Sequence, residues 1–206
     1  MCPRGERPAP GLEALGRALG PRAVAPSDRG RFASQQVRSK EEMDPTFLTV
    51  LEALHDANVR YLVVGGVAVV LHGALRATAD LDLVVQLDPD NAADAVDALA
   101  ALGFVPRLPV AMVDFANPGA RARLRARNAL VFTVWHPASH RVVDLFLEEP
   151  FPFEAAWSRR TELRLGRVRV ALVGRADLIG MKQQAGRPKD MLDVTLLRAL
   201  EGDDGG

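Results

Sequence analysis

The chain has 206 residues, of which 48% are hydrophobic and 25% charged, and its 26 Lys plus Arg balance 26 Asp plus Glu. That length fits one domain with extensions or two small ones; the apolar fraction excludes disorder throughout, and the neutral balance excludes a global basic field for nucleic acid. The lone cysteine, Cys2, excludes an internal disulfide or a cysteine-rich zinc module, and no run approaches the roughly 18–20 apolar residues of a membrane span, the longest (Tyr61 to His72) being interrupted by Gly65 and Gly66.

Residues 1–42 carry Pro3, Pro8, Pro10, Pro21 and Pro26 among many Arg, Gly and Ser residues. They read as a disordered extension, with Met43 as a second candidate start. Met1 to Glu6 lacks the apolar core of a signal peptide, so the chain reads as cytoplasmic. Residues 43–201 read as the folded domain and 202–206 as a flexible tail.

Asp44-Pro45 is a helix-start signal, an N-cap followed by Pro at the first helical position. Phe47, Val50, Leu51 and Leu54 then recur at helical spacing. A strand over Arg60–Val64 ends at Gly65-Gly66, a short buried helix follows over Val67–Leu71, and a second strand spans Leu81–Leu87. Asp88-Pro89 repeats the start signal for a helix running to Gly103. Residues 104–128, with Pro106, Pro109 and Pro118, read as irregular. Leu130–Trp135 and Arg141–Leu147 form a hairpin around His136–His140, and Glu162–Leu165 with Val168–Val173 form another around Gly166. Helices over Arg175–Ala185 and Pro188–Leu200 close the domain. Strands mixed with helices without regular alternation predict an α+β fold.

Three features carry chemistry. Asp80 and Asp82 lie at i and i+2 of a strand, so both carboxylates share a face. Two like charges that close raise one pKa unless a cation intervenes, and Mg²⁺ favours oxygen ligands of this kind; an acidic strand edge facing water is the plainer reading. Gly65-Gly66, between strand and helix, can expose backbone N–H groups to an anion, or simply make a tight turn. Asp144 interrupts the apolar strand Val142-Val143-Asp144-Leu145-Phe146, where a lone carboxylate needs a ligand or a salt bridge, with Arg141 as one candidate.

Cationic residues stand nearby in the sequence. Lys182 shares a helix face with Leu178, so it either points inward or snorkels at the edge. Arg187 and Lys189 sit at the joint of the last two helices; Asp190 is placed to tie Arg187, and Lys189 can pair with Asp193 at i+4. Arg76 precedes the carboxylates and can pair with an acid or a phosphate, and Thr78 can cap a turn. Arg121, Arg123, Arg125 and Arg127 form a local basic run, either a solvated loop or a grip on an RNA backbone. His72 reads as a satisfied core residue, and His136 and His140 as turn residues with a weak case for a metal pair.

A Gly-Gly corner, a short helix, Asp-x-Asp on a strand and a third Asp on a later strand together resemble the DNA polymerase β-like nucleotidyltransferase superfamily, over about residues 44–200. Within it, Gly65-Gly66-Val67-Ala68, Arg76-x-Thr78-x-Asp80-Leu81-Asp82, Asp177-Leu178-Ile179-x-Met181-Lys182 and Gly186-Arg187-Pro188-Lys189-Asp190 are similar to the AbiEii-like toxins and related minimal bacterial nucleotidyltransferases.

The resemblance implies a mixed sheet flanked by helices and transfer of NMP from an NTP to an acceptor hydroxyl, with pyrophosphate leaving. Asp80, Asp82 and Asp144 would be catalytic and hold two Mg²⁺ ions. Gly65, Gly66, Arg76, Thr78, Lys182, Arg187 and Lys189 would bind the nucleotide. Where the superfamily commonly has Ser after the first Gly, Gly66 stands here, so backbone N–H groups would replace a hydroxyl contact. The implied acceptor is RNA, such as tRNA, held by the arginine run, with an antitoxin protein as partner. An antibiotic or protein hydroxyl is the alternative, as are a regulatory or antitoxin-type nucleotide-binding module and a metal-dependent phosphodiesterase.

Overall fold

The structure, a computed structural model, describes residues 43–203; the extension 1–42 and residues 204–206 lie outside the described residues. Among the described residues seven helices, α1 (Pro45–Asp56), α2 (Gly65–Leu71), α3 (Pro89–Ala101), α4 (Pro118–Arg125), α5 (Phe153–Ser158), α6 (Arg175–Ala185) and α7 (Pro188–Asp203), flank one sheet. Its strands are β1 (Tyr61–Val64), β2 (Asp80–Val85), β3 (Val105–Pro106), β4 (Val131–Trp135), β5 (Val142–Phe146), β6 (Thr161–Leu165) and β7 (Val168–Leu172). They lie in the order β3-β4-β5-β2-β1-β7-β6. The two expected hairpins, β4–β5 and β6–β7, are antiparallel, whereas β2 pairs with β5 and β1 with β7 in parallel. The fold is therefore α+β with a mixed sheet, as the sequence predicts.

The helix starts follow local chemistry. Asp44 caps α1 by accepting from the Thr46 N–H, and Asp88 caps α3 by accepting from the Asp90 N–H. Each cap is followed by Pro at the first helical position.

Residues 104–128 depart from the irregular reading. They hold β3, a 3₁₀ turn over Met112–Phe115 and α4. Asn117 caps α4 by accepting from the Ala120 N–H, and Pro118 takes its first position, so the start signal of α1 and α3 recurs here in Asn form. The sequence also left 148–160 unassigned; α5 forms there and stacks Phe153 and Trp157 near Arg60, whose guanidinium lies 4.7 Å from the Trp157 ring centre. Helix α7 runs on to Asp203, into the expected tail.

The core is continuous from Phe47, Leu51 and Leu54 of α1, through Leu62, Leu83 and Leu145 of the sheet, to Leu178 and Leu197 of the last two helices. His72 belongs to it, as expected, with its Nε2 2.9 Å from the Val173 carbonyl oxygen and its pKa held below the usual value chiefly by burial. Among the described residues no helix is long and apolar enough to cross a membrane.

Leu62 is fully buried in β1, the strand that runs into the glycine corner and pairs with β2, which carries Asp82. Leu62→Ala is expected to cost about 2–5 kcal/mol of unfolding free energy, read from urea denaturation at constant m-value.

Candidate active site

The sheet register brings the sequence-predicted carboxylates together. Asp82 on β2 stands beside Asp144 on β5, and Asp80 beside Val142. On the far side of Asp144 lies Thr133 of β4, and on the far side of Asp82 lies Val64 of β1. Laterally paired residues project to one face of a sheet. Thr133, Asp144 and Asp82 thus form a row that ends where β1 turns into α2. Asp80, two residues before Asp82, shares that face and is exposed at the strand's end.

The corner fixes this row from the other side. Gly65 has φ +65°, and a Cβ there would lie 1.9 Å from Asp82 Oδ2. A Cβ on Gly66 would lie 2.4 Å from Arg76 Nη1 and 2.6 Å from Thr78 Oγ1. The two glycines are therefore required by separate neighbours, Asp82 for the first and the Arg76–Thr78 segment for the second. The second contact gives a steric reason why Ser does not stand at residue 66. The helix begins at Gly65, two residues earlier than the spacing of apolar residues suggests.

Electrostatics follow from burial and proximity. The Asp82 carboxyl is pushed up to about 6, first by burial and then by the Asp144 charge; Lys182 and a hydrogen bond from the Gly66 N–H oppose the rise. Asp144 is also raised, mainly by burial and further by Asp80, while Thr133 Oγ1, donating at 2.6 Å, and the Arg107 charge pull it down. Arg141, its candidate salt-bridge partner, instead pairs with Asp44 at 2.6 Å. Among the described residues no three acidic, His or Cys groups stand close enough to enclose an ion by themselves.

The C-terminal helices add a buried charge network. Lys182 is buried on α6 and does not snorkel; its Nζ lies 3.2 Å from Asp190 Oδ1 and 2.8 Å from Asp193 Oδ2. Asp193 also accepts Arg76, whose Nε is 3.2 Å away, and Arg187 Nε lies 2.5 Å from Asp190. Burial pushes the Asp190 carboxyl up, but hydrogen bonds from Arg187 and Lys182 outweigh it and hold it below the usual range. Arg187 is tied to Asp190 as the sequence suggests. The i, i+4 pair of Lys189 and Asp193 does not form, because Asp193 turns inward to Lys182 and Arg76 while Lys189 stays exposed. Thr78 Oγ1 donates to the Asp80 carbonyl oxygen at 3.3 Å, a turn contact.

Sequence reasoning missed Thr133 and Arg107. Thr133 is recognisable only through register with Asp144, and Arg107 reaches the row because its N–H donates to the Thr133 carbonyl oxygen at 2.9 Å.

The arginine run departs from the expected solvated loop. It is not a loop but largely α4, and Arg121 is buried, its guanidinium donating to the carbonyl oxygens of Phe115 (2.6 Å), Ala116 (3.1 Å) and Leu87 (3.4 Å). Arg121 is thus a structural residue, unable to grip RNA. Arg125 pairs with Glu148. Arg123 and Arg127 remain exposed. His136 Nδ1 accepts from the Ser139 N–H within the hairpin turn, and His140 stacks on Trp135.

Two outcomes follow. In the unfolded chain Asp82 titrates near its ordinary 3.8, and in the folded chain near 6. Between those values the native state binds more protons than the unfolded state, so in metal-free buffer stability falls as pH rises from about 4 through 6. Urea titrations at several pH values are expected to show that slope in the wild type and to show most of it lost in Asp82→Asn. Lys182→Met, which removes the cation shared by Asp190 and Asp193 and leaves each with one guanidinium partner, is expected to cost about 1.5–3 kcal/mol, read by denaturation at pH 7.

A family profile described as "Nucleotidyltransferase of unknown function (DUF6036)" matches residues 46–199. No curated protein matches the chain. Among solved structures, the lincosamide antibiotic adenylyltransferase LnuA, in its lincomycin-bound form, is 14% identical with a TM-score of 0.52, over 77% of this chain and 98% of that one. ANT(2")-Ia, in complex with adenylyl-2"-tobramycin, is 14% identical with a TM-score of 0.50, over 77% and 89%. At that identity the likeness is one of fold. Because the profile spans most of the domain that carries the carboxylate row and the glycine corner, the chain belongs to this family and is a nucleotidyltransferase.

Proposed function

We propose that the protein transfers NMP from an NTP to an acceptor hydroxyl, using Asp80, Asp82 and Asp144. The observation that carries this is the register of β2 and β5, which sets Asp82 against Asp144 on the face that also bears Asp80.

The residues fit a divalent cation. Asp82 and Asp144 both have raised carboxyl pKa values, in a row where burial and neighbouring like charges disfavour ionisation. Mg²⁺ is commonly held by one or two carboxylates completed by substrate phosphates and water rather than by an all-protein cage. Asp80, Asp82 and Asp144 would hold it, as two ions in the reading the superfamily implies. Bound there, the metal would supply charge neutralisation at the transferring phosphoryl group and align the attacking and leaving oxygens.

The chain's own residues supply the rest. Arg76 Nη1 is buried beside Gly66 with no hydrogen-bond partner, a donor whose desolvation calls for an acceptor such as a phosphate oxygen. The charges of Lys182 and Arg187 act on this same site, and they favour the triphosphate. Thr133 orients Asp144 through its hydrogen bond. Gly65, Gly66, Thr78 and Lys189 complete the proposed nucleotide-binding set; the Gly66 N–H that bonds Asp82 would serve the phosphate only by exchange with that carboxylate.

The AbiEii-like resemblance carries an RNA acceptor and an antitoxin partner with it. The RNA grip rested on four arginines, of which Arg121 is internal and Arg125 is paired. With two left exposed, a small-molecule hydroxyl is the better supported acceptor.

Incubation with labelled NTP, Mg²⁺ and cell extract is expected to give labelled product and pyrophosphate. Asp80→Asn and Asp82→Asn should each lower the rate by about 10²–10³-fold, and chelation should abolish it. Unchanged transfer in the double variant overturns the proposal, and phosphate-ester hydrolysis without pyrophosphate would mark a phosphodiesterase instead.

A further inference from the structure

A pocket of about 420 Å³ lies between α1, α2 and the loop leading into β2. That volume is within the range that small-molecule sites occupy. Phe47 of α1 and Val67, Val70 and Leu71 of α2 line it with apolar groups. Leu75 stands at its edge and is 84% exposed, apolar surface left in water beside a cavity that could cover it.

The polar lining is Asp44, Arg76, Thr78 and Arg141. Asp44, the one carboxylate, is committed twice, as the cap of α1 and as the partner of Arg141. Both guanidiniums are ion-paired as well, Arg141 with Asp44 and Arg76 with Asp193 behind the lining, so no carboxylate is left unpaired in the lining. A polycation would find no free counter-charge here, whereas an uncharged or anionic molecule meets no repulsion.

The pocket meets the active-site row without being part of it. None of Asp80, Asp82, Asp144, Lys182 or Arg187 lines it, but Arg76 and Thr78 line it and also pack on Gly66. Thr78 stands two residues before Asp80, and Arg141 one residue before Val142, the register partner of Asp80. The pocket thus opens at the end of β2 and β5 where Asp80 is exposed.

We propose that this pocket seats the acceptor, a small amphipathic molecule with an apolar body and no net positive charge, whose hydroxyl passes Thr78 to reach the carboxylates. The assignment rests on the nucleotidyl-transfer reading above. In the reaction the acceptor oxygen bonds to the α-phosphorus, the bond to the bridging oxygen of the β-phosphate breaks, pyrophosphate departs and the hydroxyl proton is released to solvent.

The test uses the full chain and two fluorescent probes, neutral N-phenyl-1-naphthylamine and anionic 1-anilinonaphthalene-8-sulfonate. Both should bind saturably at one site. Val70→Trp, which fills the pocket, should weaken binding by about tenfold or more, and Leu75→Ser, at an exposed position outside the core, by a few-fold. Neither Mg²⁺–ATP nor tobramycin should displace the probes. Mg²⁺–ATP binding, followed with trinitrophenyl-ATP, should be unchanged in both variants, while pyrophosphate release driven by a protein-free and RNA-free extract falls in Val70→Trp.

Probe binding that ignores both substitutions overturns the proposal, as does competition by Mg²⁺–ATP, which would give the pocket to the nucleotide. Competition by tobramycin would overturn the charge assignment, and full activity on purified RNA in Val70→Trp would overturn the acceptor class. Failure of the nucleotidyl-transfer reading would look different: wild-type protein would bind none of Mg²⁺–ATP, Mg²⁺–GTP, Mg²⁺–CTP and Mg²⁺–UTP, whatever the probes do in the pocket.

Discussion

The site depends on one contact, the packing of the Asp82 carboxylate against the bare Cα of Gly65. A side chain at residue 65 would occupy the place of Oδ2, so the strand that bears Asp82 and the corner that starts α2 come as close as they do only because the glycine is there. Once the carboxylate is lodged there, it lies within electrostatic reach of Asp144 on one side and Lys182 on another. Burial disfavours its charge, and the surrounding cations only partly offset that. The protein thus keeps a carboxylate in a place where a counter-ion is energetically welcome.

The supporting elements act on that row from both edges of the sheet. On one side β4 brings Thr133 to Asp144 and, through β3, Arg107 to the neighbourhood. On the other, α6 and α7 contribute Lys182 and Arg187, each neutralised in part by Asp190 and Asp193. Two buried acids shared among Lys182, Arg76 and Arg187 hold the cations in defined places rather than leaving them as flexible surface charges. Arg76 links this network to the corner, since its Nε meets Asp193 while its Nη1 lies against Gly66.

Much of this was legible in the residues. Asp-Pro pairs mark the starts of α1 and α3, hairpins follow from β-rich runs around short turns, and Asp80, Asp82 and Asp144 stand out as acids in apolar strands. What stayed hidden depended on tertiary partners. The alternating Arg-Ala run reads as solvated charge, yet the cap at Asn117 sets a helix whose inward face carries Ala120, Arg121 and Leu124, and three backbone carbonyls satisfy Arg121. Local spacing paired Asp193 with Lys189, but Lys182, eleven residues away, and Arg76, on another element, hold it instead. Thr133 carries no signal of its own without the strand register.

The joint between α6 and α7 bears on the end of the chain. Gly186 turns left-handed there, with φ +64°, and folds α7 back so that Asp190 and Asp193 return to Lys182. The last helix is therefore wired into the carboxylate row rather than appended to it. A premature stop before Asp190 would remove no proposed catalytic acid, yet it would release Arg76 from its anchor and take both acidic partners from Lys182, leaving it free to neutralise Asp82 directly and close the place a cation would otherwise take.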